Sequence, residues 1–175
     1  MSDSTNPTLT PNQQRMMATF QRHMLAEMTG DLTTTMATMT PDPHVYHVPV
    51  MTGGAGYEGV RHFYSNHLVG KFMPPDTEVT TLARILDEQY MVEEGIARFT
   101  HSMMMDWLLP GIPPTGKTIE LAVVAIVKFV DGQIAHEHIY WDQAAVLVQI
   151  GLLDPTGLPV KGAESVQGLR ALAQA

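Results

Sequence analysis

The sequence predicts an α+β domain in which a curved antiparallel sheet wraps over helices gathered near the N-terminus. Apolar residues recur at three- and four-residue spacing before residue 70, and four β-rich stretches follow from Thr77. The separators between those stretches are too short for crossover helices, so consecutive strands must be antiparallel neighbours. At 175 residues the chain suits one domain with a single sizeable core.

Residues 1–11 are rich in Ser, Thr, Asn and Pro and are expected to form a flexible tail that ends where Pro11 opens a helix. From Asn12 to Met28, the positions Met16, Met17, Phe20, Met24, Leu25 and Met28 mark one helix, and Gly30 stops it. Asp31 caps a short second helix carrying Leu32, Met36 and Met39. Pro41-Asp42-Pro43 then reads as a turn before an extended segment, His44 to Met51, and Gly53 to Gly56 as a glycine turn. Val60, Phe63, Tyr64, His67 and Leu68 mark a third helix, broken by Pro74-Pro75. The four strands are Thr77 to Asp87, Tyr90 to Trp107, Lys117 to Val130 and Gln133 to Trp141, with Asp131-Gly132 as the strongest hairpin signal. Asp142 caps a last amphipathic segment, Gln143 to Leu153, so the domain spans residues 12–153 and residues 154–175 form a C-terminal arm.

Charge and composition exclude several classes of function. Ten Lys and Arg stand against 18 Asp and Glu, for a formal net charge of -8. With no basic run to neutralise phosphates or an anionic bilayer, neither nucleic acid nor membrane is an expected partner. No Cys is present, which removes disulfides and thiolate metal sites. The longest uncharged apolar run, Leu121 to Val127, is far too short to span a bilayer, and the N-terminus lacks a basic-then-apolar signal, so a cytoplasmic protein is expected.

Two motif matches fail on mechanism. Gly111 to Thr118 satisfies the phosphate-loop pattern G-x-x-x-x-G-K-[ST], but Pro113 and Pro114 have no N–H to offer a phosphate and the residues that follow read as strand. Gly54, Gly56 and Gly59 fit G-x-G-x-x-G, yet no parallel β-α-β unit follows. No G-x-S-x-G nucleophile elbow exists either.

Several local strings, in order, carry a resemblance: Gln21-Arg22-His23 with Gly30-Asp31-Leu32, Gly59 to Tyr64, Pro113 to Lys117, Asp131 to Ile134, and Tyr140-Trp141-Asp142 before Gln149 to Leu153. Over about residues 12–153 the chain resembles the SnoaL-like branch of the nuclear transport factor 2 superfamily, which includes polyketide cyclases, ketosteroid isomerase and limonene epoxide hydrolase. The resemblance implies a cystatin-like cone with an internal apolar pocket, no cofactor, and a homodimer formed through the outer sheet face. It sets His47 where the isomerase has its general base and His23 where it has a catalytic Tyr. Glu137, Ile139 and Trp141 fall on the pocket side of the last strand. Ile139 occupies the position of the epoxide hydrolase's essential Asp, and Ala125 that of the isomerase's second acid, so neither mechanism transfers intact.

Strand alternation gives a separate test of which side chains face inward. Glu93, Gly95, Ala97, Phe99, His101 and Met103 share the more apolar face of their strand and are expected to line the cone. In the last strand alternation separates Glu137, Ile139 and Trp141 from His136, His138 and Tyr140 without saying which set faces in. An apolar cavity holding imidazoles and a carboxylate suits proton transfer. The expected catalytic set is His47 as base or relay, Glu137 as orienting group or complementary acid, and His23 polarising an oxygen, with His101 nearby. Trp141, Ile139, Phe63, Phe99, Glu93, Met103 and Tyr46 are the expected ligand-binding residues, and Asp106 and Trp107 are expected at the rim beside a Pro/Gly lid. The ligand is a small, mostly apolar ring or carbonyl compound, and isomerisation, cyclisation, hydration and hydrolysis all remain open. Each imidazole could instead be an ordinary hydrogen-bonded core histidine, and the chain a non-catalytic ligand-binding or assembly module. His136 and His138 share a strand face as metal ligands would, but spacing supplies no third or fourth ligand, so they are assigned to a dimer contact on the outer sheet face and no metal is expected.

Overall fold

In a computed structural model, residues 9–173 are described. Most of the expected 1–11 tail therefore lies outside the described residues. Thr10 forms a capping box with Gln13 and opens α1 (Pro11–Thr29), which ends where Gly30 takes a left-handed backbone at φ 80°. The Asp31 carboxylate accepts from the Thr34 N–H and caps α2 (Leu32–Ala37).

The chain then departs from its sequence reading. Pro41-Asp42-Pro43 lies inside β1 (Met39–His47), which ends before the expected Met51. The prolines are tolerated because the pairing of β1 with its neighbour shifts register between Met39 and His44, where no N–H is demanded of them. The glycine run is an edge strand, β2 (Thr52–Ala55), hairpinned onto β1. Its glycines are there for close approach: a Cβ at Gly53 would lie 1.9 Å from the Val45 carbonyl oxygen, and one at Gly54 2.3 Å from that of Gly59. Next come α3 (Gly56–Phe63) and a π-helical turn, Tyr64–Leu68.

Four strands follow as a meander: β3 (Glu78–Leu86), β4 (Tyr90–Thr100), β5 (Thr118–Val130) and β6 (Gln133–Trp141). β4 stops at Thr100 rather than Trp107, because its last partner is Thr118 at the start of β5 and no strand remains to pair with residues 101–107. The sheet order is β2-β1-β6-β5-β4-β3, antiparallel throughout except for the β1–β6 pair, which is parallel. Asp142 caps α4 (Gln143–Gln149) through the Ala145 N–H. The C-terminal segment is more than an arm: α5 (Glu164–Ala173) packs against β5, and its Arg170 lies 3.5 Å from Glu120 on the side of the sheet away from the helices. No helix among the described residues is long and apolar enough to cross a membrane.

The core sits between the sheet and α1 with α3. Val45 and His47 of β1 and Glu137 and Trp141 of β6 are all buried, and the register sets Val45 beside Glu137 and His47 beside Ile139. The inner side of β6 is thereby fixed, and His136, His138 and Tyr140 face out.

Candidate functional site

The sheet and helices enclose two adjoining groups of functional side chains. The first surrounds His47, at the last position of β1 and only 3% exposed. Three aromatic rings box it, with centroids 5.4 Å (Trp107), 5.5 Å (Phe63) and 5.7 Å (Trp141) from its own. Hydrogen bonds hold the walls. The Trp107 indole donates to the Phe72 carbonyl and the Thr52 hydroxyl to the Trp107 carbonyl, while the Trp141 indole donates to Gln143, which donates in turn to the Leu108 carbonyl. His47 itself is less satisfied: its Nδ1 is buried without a hydrogen-bond partner. Burial pushes its pKa down to about 4, against the opposing pulls of the Glu137 charge and of the Thr52 backbone. The ring is thus neutral at neutral pH and keeps a free lone pair or N–H.

The second group is a closed polar cluster on α1, the α2 terminus, the π-helical turn and β6. The Thr38 hydroxyl donates its one hydrogen to the Thr35 carbonyl at 2.6 Å, so at 2.6 Å from His23 Nδ1 it can only accept. Nδ1 therefore carries a proton. On the other side of the ring, Nε2 lies 3.0 Å from Glu27, 3.1 Å from the Tyr64 hydroxyl and 3.6 Å from Glu137. Tyr64 donates to Glu137 at 2.8 Å. Burial alone would lower the His23 pKa, but Glu27 and Glu137 outweigh it and raise it to about 10. Burial raises Glu27, whereas Glu137 is held low: burial opposes its charge, and His23 and the Tyr64 hydroxyl overcome that. The arrangement is an imidazolium held between two buried carboxyl groups, of which Glu27 is pushed up by burial and Glu137 is held low. His23, Glu27 and Glu137 also bring one ligand atom each within 4.8 Å of one another, a spacing that could hold a cation, but these atoms are already engaged with one another and with Tyr64.

A surface cleft of about 310 Å³ adjoins the first group, lined by Met51, Thr52, Gly53, Phe63, His67 and Asp106, among others. Phe63 stands between the two, its ring 5.9 Å from His67 on the cleft and 5.5 Å from His47 inside.

The structure brings His47, Phe63, Trp141, His23 and Glu137 together and leaves other expected residues elsewhere. Ile139 is half-buried on the inner face next to His47 in register, and Phe99 is fully buried in the core. Tyr46 alternates outward from β1 and is 37% exposed. Glu93 is tied to Arg84 at the far edge of the sheet, because β3 sets that arginine directly opposite it. His101 and Met103 lie beyond the end of β4, so strand alternation does not apply to them; His101 packs against the Pro/Gly loop, with Nδ1 near the Thr115 hydroxyl at 3.2 Å and Nε2 buried without a partner. Trp107, expected at the rim, is 4% exposed and forms a wall of the His47 box. Sequence reasoning missed Glu27, Tyr64 and Thr38 as site residues. Glu27 had a signal, the i,i+4 spacing from His23 on one helix.

A curved sheet backed by N-terminal helices has the architecture of the nuclear transport factor 2-like fold. The model of the SnoaL-like domain matches residues 14–137, and the chain belongs to that family. A SnoaL-like polyketide cyclase, so assigned, from Jannaschia sp. CCS1 superposes with a TM-score of 0.66 at 19% identity, over 85% of this chain and 100% of that one. IdmH from Streptomyces antibioticus, assigned as a polyketide cyclase, gives 0.56 at 22% identity over 78% and 98%. AclR from Streptomyces galilaeus, assigned as a hydroxylase, gives 0.58 at 18% over 81% and 98%. At these identities the likeness is one of fold. No curated protein matches the sequence.

Proposed function

We propose that this SnoaL-like protein binds a small, mostly apolar cyclic or carbonyl compound at the His47 end of the cone and acts on it by cofactor-free general acid–base chemistry. The observation that carries the reading is the unpartnered Nδ1 of a neutral, buried His47 inside an aromatic box. An unsatisfied buried polar atom costs about 1–3 kcal/mol, and a ligand that met it would recover that cost. His47 takes a proton from the bound compound, and the ionised Glu137 stabilises the imidazolium as it forms. Glu137 is a poor complementary acid, since its neighbours hold it deprotonated. His23 acts through Glu137 as a positioning residue, because both its ring nitrogens are already occupied and it is fully buried. Phe63 gates passage from the cleft, and Trp107 and Trp141 hold the apolar part of the compound. Isomerisation, cyclisation, hydration and hydrolysis all share this first step.

The three rings packed on His47 favour a second reading, a non-catalytic binding or assembly module with a filled interior. One screen separates the two: thermal shift of wild type and His47→Leu against cyclic ketones, lactones, epoxides and steroid-like rings. Stabilisation of the wild type that the substitution changes supports the enzyme reading, and no shift with any compound moves the module reading to first place. In the same proposal a second copy packs on the outer sheet face, around the half-buried Val124 and Ile126 and the exposed Tyr140. Sedimentation at twice the chain mass, falling to the chain mass in Ile126→Lys, is the expected result; a wild-type monomer removes the dimer.

A further inference from the structure

Three imidazoles converge on the outer face of the sheet, on the side opposite His47. His44 comes from β1 and His136 and His138 from its parallel neighbour β6, in a register that sets His44 beside His136 and Tyr46 beside His138. Parallel pairing therefore delivers the third nitrogen that spacing along β6 alone does not. The rings of His136 and His138 stack at 4.3 Å and 12°, and the His44 ring lies 4.6 Å from His136 and 5.0 Å from His138. His44 Nε2 and His138 Nε2 are 2.9 Å apart, and one nitrogen from each of the three rings falls within 4.8 Å of the others. A single N–H can bridge only one pair of such nitrogens, whereas one cation serves all three.

The surroundings fit a cation as well. All three side chains are half-buried, so they are held in place yet reachable. Lys128, the register partner of His136, opposes a bound cation with its own charge, which lies over the Tyr90 ring, 5.7 Å from the centroid. A groove of about 370 Å³ runs along β1 and β2 with His44 and His138 in its wall. Tetrahedral zinc with imidazole bonds of about 2.0–2.1 Å needs nitrogens roughly 3.3 Å apart, so a bound ion would draw together three nitrogens that now lie within 4.8 Å of one another. The interior group of His23, Glu27 and Glu137 is the competing candidate, but each of its three side chains is held by another of the group or by Tyr64, whereas in the outer cluster only His44 and His138 share a hydrogen bond.

We infer that His44, His136 and His138 form a three-imidazole site for a late first-row divalent cation of the zinc and copper class, with an open position facing the groove along β1 and β2. Neutral nitrogen donors with no carboxylate select such ions over magnesium and calcium. The open position takes a water or a small anion. The site lies on the opposite face from His47 and does not depend on the proposed chemistry there, but it borders the proposed dimer seam, since His138 is the register partner of Ile126, so Zn²⁺ binding and sedimentation are read on the same samples.

The test titrates the full chain at neutral pH with Zn²⁺ against a chromophoric chelator, and separately with Co²⁺, whose visible bands report coordination number. The inference expects one equivalent of Zn²⁺ per chain and a four-coordinate Co²⁺ spectrum. His44→Ala and His138→Ala should each weaken binding by at least about 100-fold, the upper end of what changes beyond the ligands themselves cost. His62→Ala should leave it unchanged. Far-UV circular dichroism shows whether each variant folds, and the wild-type Co²⁺ spectrum stands without any variant. Equal affinity in folded His44→Ala, half an equivalent per chain, a six-coordinate Co²⁺ spectrum, or no Zn²⁺ binding would each overturn the inference.

Discussion

An imidazole enclosed by three aromatic rings loses its hydration, and the cost falls on its charged form. At His47 this depresses the folded-state pKa to about 4 from an ordinary 6.5, so between those values the unfolded chain binds more protons than the folded one. The contribution to stability is fully present above about pH 6.5 and is lost as pH falls through about 4, a difference on the order of 3 kcal/mol. His23 runs the other way. With its pKa raised to about 10, its contribution is complete below about pH 6.5 and is lost as pH rises through about 10. Thermal stability should therefore peak near neutral pH, and His47→Leu should make the limb between about pH 4 and 6.5 shallower, leaving the part that His136 carries, while sparing the alkaline limb. Melting temperatures across pH check this, and an unchanged acid limb would mean that His47 does not titrate low. Residue identity alone indicated which histidines to watch, but His23 and His47 carry opposite shifts because one lies between two carboxyl groups and the other among apolar rings, and that is set by the fold.

Backbone approach explains the elements that the sequence misrepresents. Glycine runs usually mark turns, yet Gly53 and Gly54 are strand because β2 is wedged between β1 and α3 with no room for a Cβ. Gly54→Ala would press on the Gly59 carbonyl carbon and oxygen and the Val60 nitrogen, all backbone atoms that can yield only if α3 moves. It should cost about 1–3 kcal/mol or more by chemical denaturation and disturb Phe63 and Tyr64, which α3 positions. Gly168→Ala, with nothing within 4 Å on α5, should instead stabilise by about 0.5–1 kcal/mol. Equal effects of the two would contradict the wedge. The meander from β3 to β6 was legible because its hairpin signals and strand lengths are local. The Pro-Asp-Pro stretch was not, since prolines within a strand make sense only once the register shift against β6 is known. α5 was hidden for a related reason: its place depends on Glu120 and β5, far away in sequence.

At the scale of the whole molecule, one sheet separates two histidine groups with different environments. The inner face holds His47 and the Glu137 cluster under α1 and α3, and the outer face holds His44, His136 and His138 beside an open groove. The parallel β1–β6 pair makes both arrangements at once, because alternation along two strands in register sends Val45, His47, Glu137 and Ile139 inward and His44, His136 and His138 outward. The order of elements along the chain predicted a curved sheet wrapped over helices and the family resemblance the cone, while the contents of its interior depended on a pairing between strands some 90 residues apart in sequence. The proposed chemistry needs His47 to be a neutral base with a free ring nitrogen that apolar cyclic compounds can reach. Ring-nitrogen NMR of histidine-labelled protein measures this directly, with His47 assigned by its absence in His47→Leu. His47 should stay neutral down to about pH 5, and its ring signals should move when cyclic ketones, lactones or epoxides are added at neutral pH. Titration near the ordinary 6.5, or signals unmoved by every compound, would contradict it.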